Sequence, residues 1–337
     1  MTRVKPQFGV VGGLREDYFI TPSKEVHLRE IGGNAVYAAV GAFLWNKHIA
    51  LIARVGENYP TEWIELFKSR RFDTRGIQTV PGWHDTRTFY AYLSLEERAD
   101  TDPAGHFARI GQPLPPELKD YATSTEGQED RARFGDLAVR PADIPRSLHS
   151  VRGLHLAPGD YITHHTVPEA LRAAGVKVIT CDPSVRYMQP ALKNEVQGVV
   201  RGLDAFLPSE MEVRSYYRSE HVDLWEAAAE FGSMGCRIVV VKRGSNGSYV
   251  YHVDTGDKWH VPAYPATVRD VTGAGDSFCG GFIVGLADTG DPVEAALRGA
   301  VSASIVIEGV GALSALEALP GLTEARLNSL RESVRKI

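Results

Sequence analysis

Two glycines, a carboxylate and the start of an apolar helix follow one another in the run Asp270-Val271-Thr272-Gly273-Ala274-Gly275-Asp276-Ser277-Phe278. Glycines at 273 and 275 let the backbone turn sharply and bring N–H groups against an anion, and a helix beginning near 275 adds the positive end of its dipole. Asp276, in the first turn, can take a proton from a hydroxyl while those N–H groups hold a transferring phosphoryl group. Two commoner glycine motifs are excluded. A dinucleotide fingerprint would need Gly or Ala where Phe278 stands and would lie near the first strand, and no G-x-x-x-x-G-K-[S/T] loop occurs in the chain. Alone, the run is equally a glycine-rich helix entry with an ordinary first-turn acid.

Further segments narrow the choice. Gly32-Gly33-Asn34-Ala35-Val36-Tyr37-Ala38-Ala39 and Val55-Gly56-Glu57-Asn58 lie near the N-terminus, with Asp182-Pro183-Ser184-Val185-Arg186 and Pro208-Ser209-Glu210-Met211-Glu212 midway. In this order, and with D-V-T-G-A-G-D at 270–276, they resemble the motifs of the ribokinase-like, or PfkB, carbohydrate kinase family. The resemblance implies a three-layer α/β/α domain with a mostly parallel central sheet and a small β lid. It also implies ATP-dependent, Mg2+-requiring phosphorylation of a primary hydroxyl on a small sugar or sugar-like substrate.

Under that resemblance Asp276 is the base and Gly273, Ala274 and Gly275 form the anion cradle. Asp270 and Thr272 stand where some relatives hold a monovalent cation such as K+; a strand-ending Asp and a helix-capping Thr are the plainer reading. Glu212 matches an acid that influences Mg2+, but Ser209 replaces the usual Asn, so its role would be indirect, or that of a solvated helix-terminal acid. Lys242, Gly244 and Gly247 match the strand and turn bordering ATP, and Gly309 and Gly311 its adenine side, although any tight turn uses glycine.

Asp17 falls where relatives bind sugar hydroxyls, with Gly32 and Gly33 allowing backbone approach. Arg15 and Tyr37 replace residues that are Asn in ribokinases, which turns the expectation away from ribose. A buried Arg15 favours a carboxylate or other anionic substituent, unless it pairs with Glu16 or meets solvent. Tyr90 and Tyr92 could stack on a sugar ring or simply pack. A homodimer through the lid belongs to the same set of expectations. Competing functions are a nucleoside kinase of this fold and a catalytically silent ligand-binding relative.

Composition sets bounds rather than answers. The 337 residues, 43% of them hydrophobic, can bury one large α/β core. A net charge of -5 without long like-charge runs argues against nucleic acid or an anionic membrane surface as partner. Cys181, Cys236 and Cys279 have neither metal spacing nor an even count, which points to a reducing cytoplasm. The apolar run at 8–11 is too short for a secretion signal or a membrane span.

The elements that must position these residues read as follows. Residues 8–11 predict a buried strand, 18–28 a projecting hairpin, 34–45 a largely apolar helix, 49–55 a strand, 61–70 a helix and 86–94 a strand. Residues 14–32 and 84–96 would make the lid, and 96–146 a polar insertion of loops or partial disorder. The signals at 153–156, 167–174, 176–180, 189–200, 205–207, 224–234 and 238–241 predict βαβ units. A hairpin at 249–261 and helices at 275–287, 293–307 and 323–335 complete a single domain over 1–337.

Overall fold

The computed structural model describes residues 5–95, 97–123 and 125–337; Glu96, at the expected edge of the lid, and residues 1–4 of the expected domain lie outside the described residues. Its strands are β1 (Phe8–Val11), β2 (Arg15–Ile20), β3 (Val26–Gly32), β4 (Ile49–Gly56), β5 (Asp73–Val80), β6 (Arg87–Tyr92), β7 (Arg98–Ala99), β8 (Gly153–Leu156), β9 (Val178–Cys181), β10 (Ala205–Phe206), β11 (Ile238–Lys242), β12 (Ser248–His252), β13 (Lys258–Val261) and β14 (Arg335–Lys336). Its helices are α1 (Asn34–Phe43), α2 (Thr61–Ser69), α3 (Pro103–Arg109), α4 (Tyr161–Ala174), α5 (Lys193–Val200), α6 (Glu210–Tyr217), α7 (Leu224–Ser233), α8 (Ala274–Thr289), α9 (Pro292–Val306) and α10 (Leu322–Arg331).

The larger sheet runs β14-β13-β12-β11-β10-β9-β8-β1-β4-β5, parallel from β11 to β5 and antiparallel from β11 to β14. Side chains alternate across it. Val10, Leu51 and Val240 pack on one face against α1, α8 and α9, while Val11, Ile52, Val239 and Val241 pack on the other against α4, α5 and α7. Both faces are thus covered by helices, giving three layers with a continuous apolar sheet between them. Helix α8 lies flush on α1: a Cβ on Gly280 would sit 1.9 Å from the Ala38 carbonyl oxygen, and one on Gly41 2.1 Å from that of Ser277. This close approach fixes the amino end of α8, with the 270–276 run, over the carboxyl ends of the strands.

The smaller sheet, β3-β2-β6-β7, is separate. Its register pairs Asp17 with Thr88 and Tyr92 with Arg98, so Arg15, Asp17, Thr88, Tyr90, Tyr92 and Arg98 share one face. On the other face Tyr18, Ile20, Phe89 and Ala91 pack against Phe107 of α3 and Leu118.

That packing changes the expectation for 97–146. Rather than disordered loops, the segment holds α3 and places Phe107, Leu118, Val139 and Ile144 in three-dimensional cores. Arg54 anchors it through a two-pronged bond to Asp143 at 3.0 and 3.1 Å. Helix α4 runs through Pro168 and begins at Tyr161, earlier than expected. The last helix stops at Arg331, and β14 follows to pair with β13. No helix among the described residues is long and apolar enough to cross a membrane.

Candidate active site

Gly273 caps α8 in the left-handed conformation at φ +73°. A Cβ there would lie 2.0 Å from the Tyr37 ring, so only glycine allows both the turn and the packing of Tyr37 against it. The Ala274 N–H is engaged by the Val271 carbonyl at 3.2 Å. Among the described residues, the N–H groups of Gly273, Gly275 and Asp276 have no backbone acceptor, as the start of a helix leaves them, so of the expected Gly273–Gly275 set only Ala274 is engaged. Asp276 follows in the first turn. Desolvation in the cleft pushes its pKa up to about 6, against the pull of Lys242 and, more weakly, Arg98.

Lys242, the last residue of β11, reaches under this turn; a Cβ on Gly275 would lie 3.5 Å from its Nζ. Its ammonium is paired with Asp182 Oδ2, and Cys279 Sγ donates to the same oxygen at 3.4 Å. Asp182 Oδ1 is buried without a partner. Glu212 is the third residue of α6 and closes a capping box: its Oε2 accepts the Ser209 N–H at 2.7 Å and the Ser209 hydroxyl at 2.8 Å. It is 8% exposed, not a solvated acid. Desolvation raises both Asp182 and Glu212 above the usual carboxylate range, helped by the charge of Asp276 at Asp182 and by that of Asp182 at Glu212.

Asp270 Oδ1 accepts the Thr272 N–H at 2.9 Å and the Thr272 hydroxyl at 2.6 Å, and Oδ2 accepts the Gly311 N–H at 3.4 Å. Because the Thr272 proton is committed to Asp270, the Tyr92 hydroxyl donates to Thr272 Oγ1 at 2.8 Å. One hydrogen-bond chain therefore runs from the smaller sheet through Thr272 and Asp270 to the Gly309–Gly311 loop. Arg98 bonds Tyr92, and its guanidinium lies 4.5 Å from the Tyr90 ring centroid.

On the other wall, the Asp17 carboxylate lies against Gly32, where a Cβ would fall 1.8 Å from Oδ2, and accepts the Gly33 N–H. Burial raises its pKa to about 7. Asp17 Oδ1 and the hydroxyls of Tyr37, Tyr59 and Thr88 are buried without partners, and the two tyrosines sense the Asp17 charge. Arg15 does not pair with Glu16, whose Oε2 takes Arg29 at 3.1 Å.

Gly244 and Gly247, at φ +53° and +78°, build the β11–β12 turn, in which the Arg243 N–H bonds the Gly247 carbonyl at 2.8 Å. Their glycine character is accounted for by that turn. Arg98 escaped notice in the sequence, Asp182 was quoted only as part of a motif, and Tyr92, expected to stack on a sugar ring or to pack, bonds Thr272 instead. Asp182 carried a readable signal, a carboxylate one residue past a β-branched strand, where ligands meet open parallel sheets. A larger cavity of about 810 Å3 opens elsewhere, lined by Lys47, Ile64, Lys68, Phe72 and Ile77, and none of the residues above lines it.

A model described as "pfkB family carbohydrate kinase" matches residues 151–319. The cytidine kinase of Thermococcus kodakarensis is 24% identical over 295 residues, covering 86% of this chain and 91% of that protein. The inositol 3-kinase of Arabidopsis thaliana is 30% identical over 177 residues, 51% of this chain and 47% of that one. Among solved structures, an E. coli protein given as a ribokinase II, in complex with ATP and Mg2+, superposes with a TM-score of 0.68 at 18% identity, over 97% of this chain and 99% of that chain.

Proposed function

Since this chain belongs to the pfkB family of carbohydrate kinases, we propose that it transfers the γ-phosphoryl group of ATP to a primary hydroxyl of a small sugar-containing acceptor, with Asp276 as general base. The observation that carries the reading is the convergence of a raised carboxylate, helix N–H groups without backbone acceptors and one buried ammonium at the amino end of α8.

Asp276 takes the acceptor proton as the hydroxyl oxygen attacks phosphorus and ADP departs. The Gly275 and Asp276 N–H groups and Lys242 carry the charge on the transferring group. Asp17, Tyr37, Tyr59 and Thr88 offer unspent hydrogen-bonding atoms to the acceptor. The smaller sheet serves as the lid over it, and Tyr92 ties that lid to the turn.

Asp182 and Glu212 with Asp276 put three carboxylates around one ammonium, an excess of negative charge suited to a divalent ion. Among the described residues no three ligands are grouped closely enough to hold a metal alone, in keeping with Mg2+ that arrives on the nucleotide and meets only one or two protein carboxylates. It would supply charge neutralisation on the phosphates.

The K+ reading draws no support from Asp270, whose oxygens are engaged by Thr272 and Gly311. Replacing K+ by a bulky organic cation at constant ionic strength is therefore expected to leave the rate unchanged; a loss of activity would assign the ion to this pair. Arg98→Ala is expected to lower kcat by about a hundredfold, with Arg98→Lys recovering part of it, if the lid guanidinium shares the transition-state charge. Equal rates in all three proteins would make Arg98 a packing residue.

The outer face of the lid sheet is filled in cis by Phe107 and Leu118, so a lid-mediated dimer would need another surface. A catalytically silent role fits poorly with the raised Asp276. ADP release measured across sugars, sugar acids, polyols and nucleosides tests the reading: acceptor-dependent release with one group supports it, and none with any group refutes it.

A further inference from the structure

We propose that the cavity at the amino ends of β4 and β5 is a second binding site, separate from the phosphoryl-transfer site, and that it takes a small organic phosphate, a phosphomonoester carried on an apolar body. This site is independent of which reaction the carboxyl ends of the strands support.

The transfer site lies over the carboxyl ends of the parallel strands, whereas this cavity opens at their opposite ends, beside Ile49, the first residue of β4, and Asp73, the first of β5. β5 is the outermost strand of the larger sheet. Between Asp73 and Gly76 it holds one residue more than β4 does between Ala50 and Ile52, a bulge of the kind that bends an edge strand and re-aims its side chains. The cavity measures about 810 Å3, within the range of roughly 300–1,000 Å3 that holds a whole small molecule. Ile64, Phe72 and Ile77 give it an apolar lining.

Its charged lining is Lys47, Lys68, Arg71 and Arg75 against the single carboxylate of Asp73, a concentration of cations on a chain whose net charge is -5. Two of the four are satisfied within the chain. Asp73 Oδ1 accepts the Arg75 backbone N–H at 3.0 Å and the Arg75 Nε–H at 2.9 Å, and Lys68 Nζ donates to Glu65 at 2.6 Å. Among the described residues the ion pairs within 4.0 Å at this cavity are these two, and neither Lys47 nor Arg71 enters one. Lys47 donates one of its three N–H groups to the Phe43 carbonyl at 2.9 Å and lies 4.1 Å from the Phe43 ring centroid. Burial lowers its pKa, with Glu324 acting against the shift and Arg71 adding to it.

Arg71 is held beside that ammonium at a cost. It follows the capping residue of α2 at φ +74°, and the Phe72 N–H bonds the Phe67 carbonyl at 3.0 Å around it, a turn in which glycine is the ordinary choice. A guanidinium kept in a strained backbone position next to a cation it repels has an anion as its natural counterpart. A phosphomonoester brings close to two negative charges and three acceptor oxygens, enough for the Arg71 fork and the remaining Lys47 donors at once, whereas a monocarboxylate brings one charge. The hydroxyls of Thr74 and Thr79 and the His48 imidazole complete the polar lining.

Calorimetric titration of the full chain with phenyl phosphate, inorganic phosphate and phenol tests the site. Phenyl phosphate is expected to bind about tenfold or more tightly than inorganic phosphate, with phenol showing no heat of binding. Arg71→Gly and Lys47→Gln should each weaken phenyl phosphate about tenfold or more, as loss of a charge-assisted hydrogen bond does. Glycine relieves the backbone at 71, so the melting temperature of Arg71→Gly should hold or rise. Neither variant should change acceptor-dependent ADP release, since neither residue belongs to the transfer site. No binding of phenyl phosphate, binding no tighter than that of inorganic phosphate or phenol, or undiminished binding in both folded variants would overturn the inference, the last by placing the ligand elsewhere.

Discussion

Asp276→Asn is expected to keep its fold and its affinity for ATP while losing about a hundredfold to ten-thousandfold in kcat, the range for a missing general base. The amide keeps the size of the side chain but cannot take the hydroxyl proton. Stability should move the other way. The Asp276 pKa is about 6 in the folded chain against 3.8 for a free side chain, so between those values the folded state holds the proton more tightly than the unfolded one. Stability from this group is therefore fully present below about pH 4 and declines as pH rises through 6, leaving the ionised carboxylate a cost on the order of 3 kcal/mol at pH 7. Asparagine removes that cost, and the melting temperature at pH 7 should hold or rise. In the unsubstituted protein the same ionisation should appear as an acid limb in kcat/KM, with activity gained as pH climbs through about 6. Near-normal turnover in the variant would end the general-base assignment.

Lys242→Met is expected to fail twice, for separable reasons. Removing the ammonium leaves Asp182 buried beside Glu212 and Asp276 without its counter-charge, which costs about 3–5 kcal/mol in comparable broken pairs. It also removes the cation beneath the anion turn, for which a loss of about a hundredfold or more in kcat is expected. The double variant Asp182→Asn with Lys242→Met separates the two effects, because a neutral amide no longer needs the ammonium. Its melting temperature should return most of the way to the original, and its turnover should not. If turnover returns with stability, Lys242 only balances Asp182 and takes no part in the transfer.

The parallel strands could be read from sequence because each is a short β-branched run that both sheet faces bury, as in Ile49–Gly56 and Ile238–Lys242. β5 could not, because it edges the sheet and its Asp-Thr-Arg-Gly-Ile-Gln-Thr-Val sequence buries only Gly76 and Val80. α6 is absent from the element reading although Ser209 and Glu212 spell a capping box; only the alternative of a helix-terminal acid at Glu212 pointed to it. The glycine turn and the place of Asp276 in the first turn of α8 were legible because a local run makes them; the engaged Ala274 N–H was not, being a matter of turn geometry. Arg98 and Tyr92 gain their positions from strand register across 180 residues, Tyr92 to Thr272, and no local pattern encodes that. Arg15 is the least legible site residue: its type suggests an anionic acceptor, and no local pattern shows that the fold sets it facing the charges of Asp17, Asp85 and Asp160.

The central claim is transfer of phosphate from ATP to a hydroxyl, and phosphorus NMR on the full chain with ATP, Mg2+ and the acceptor panel tests it most directly. The account predicts one new phosphomonoester resonance growing in step with ADP, dependent on the acceptor and absent with Asp276→Asn; ADP accompanied only by inorganic phosphate, or an ester formed equally well by that variant, would contradict it.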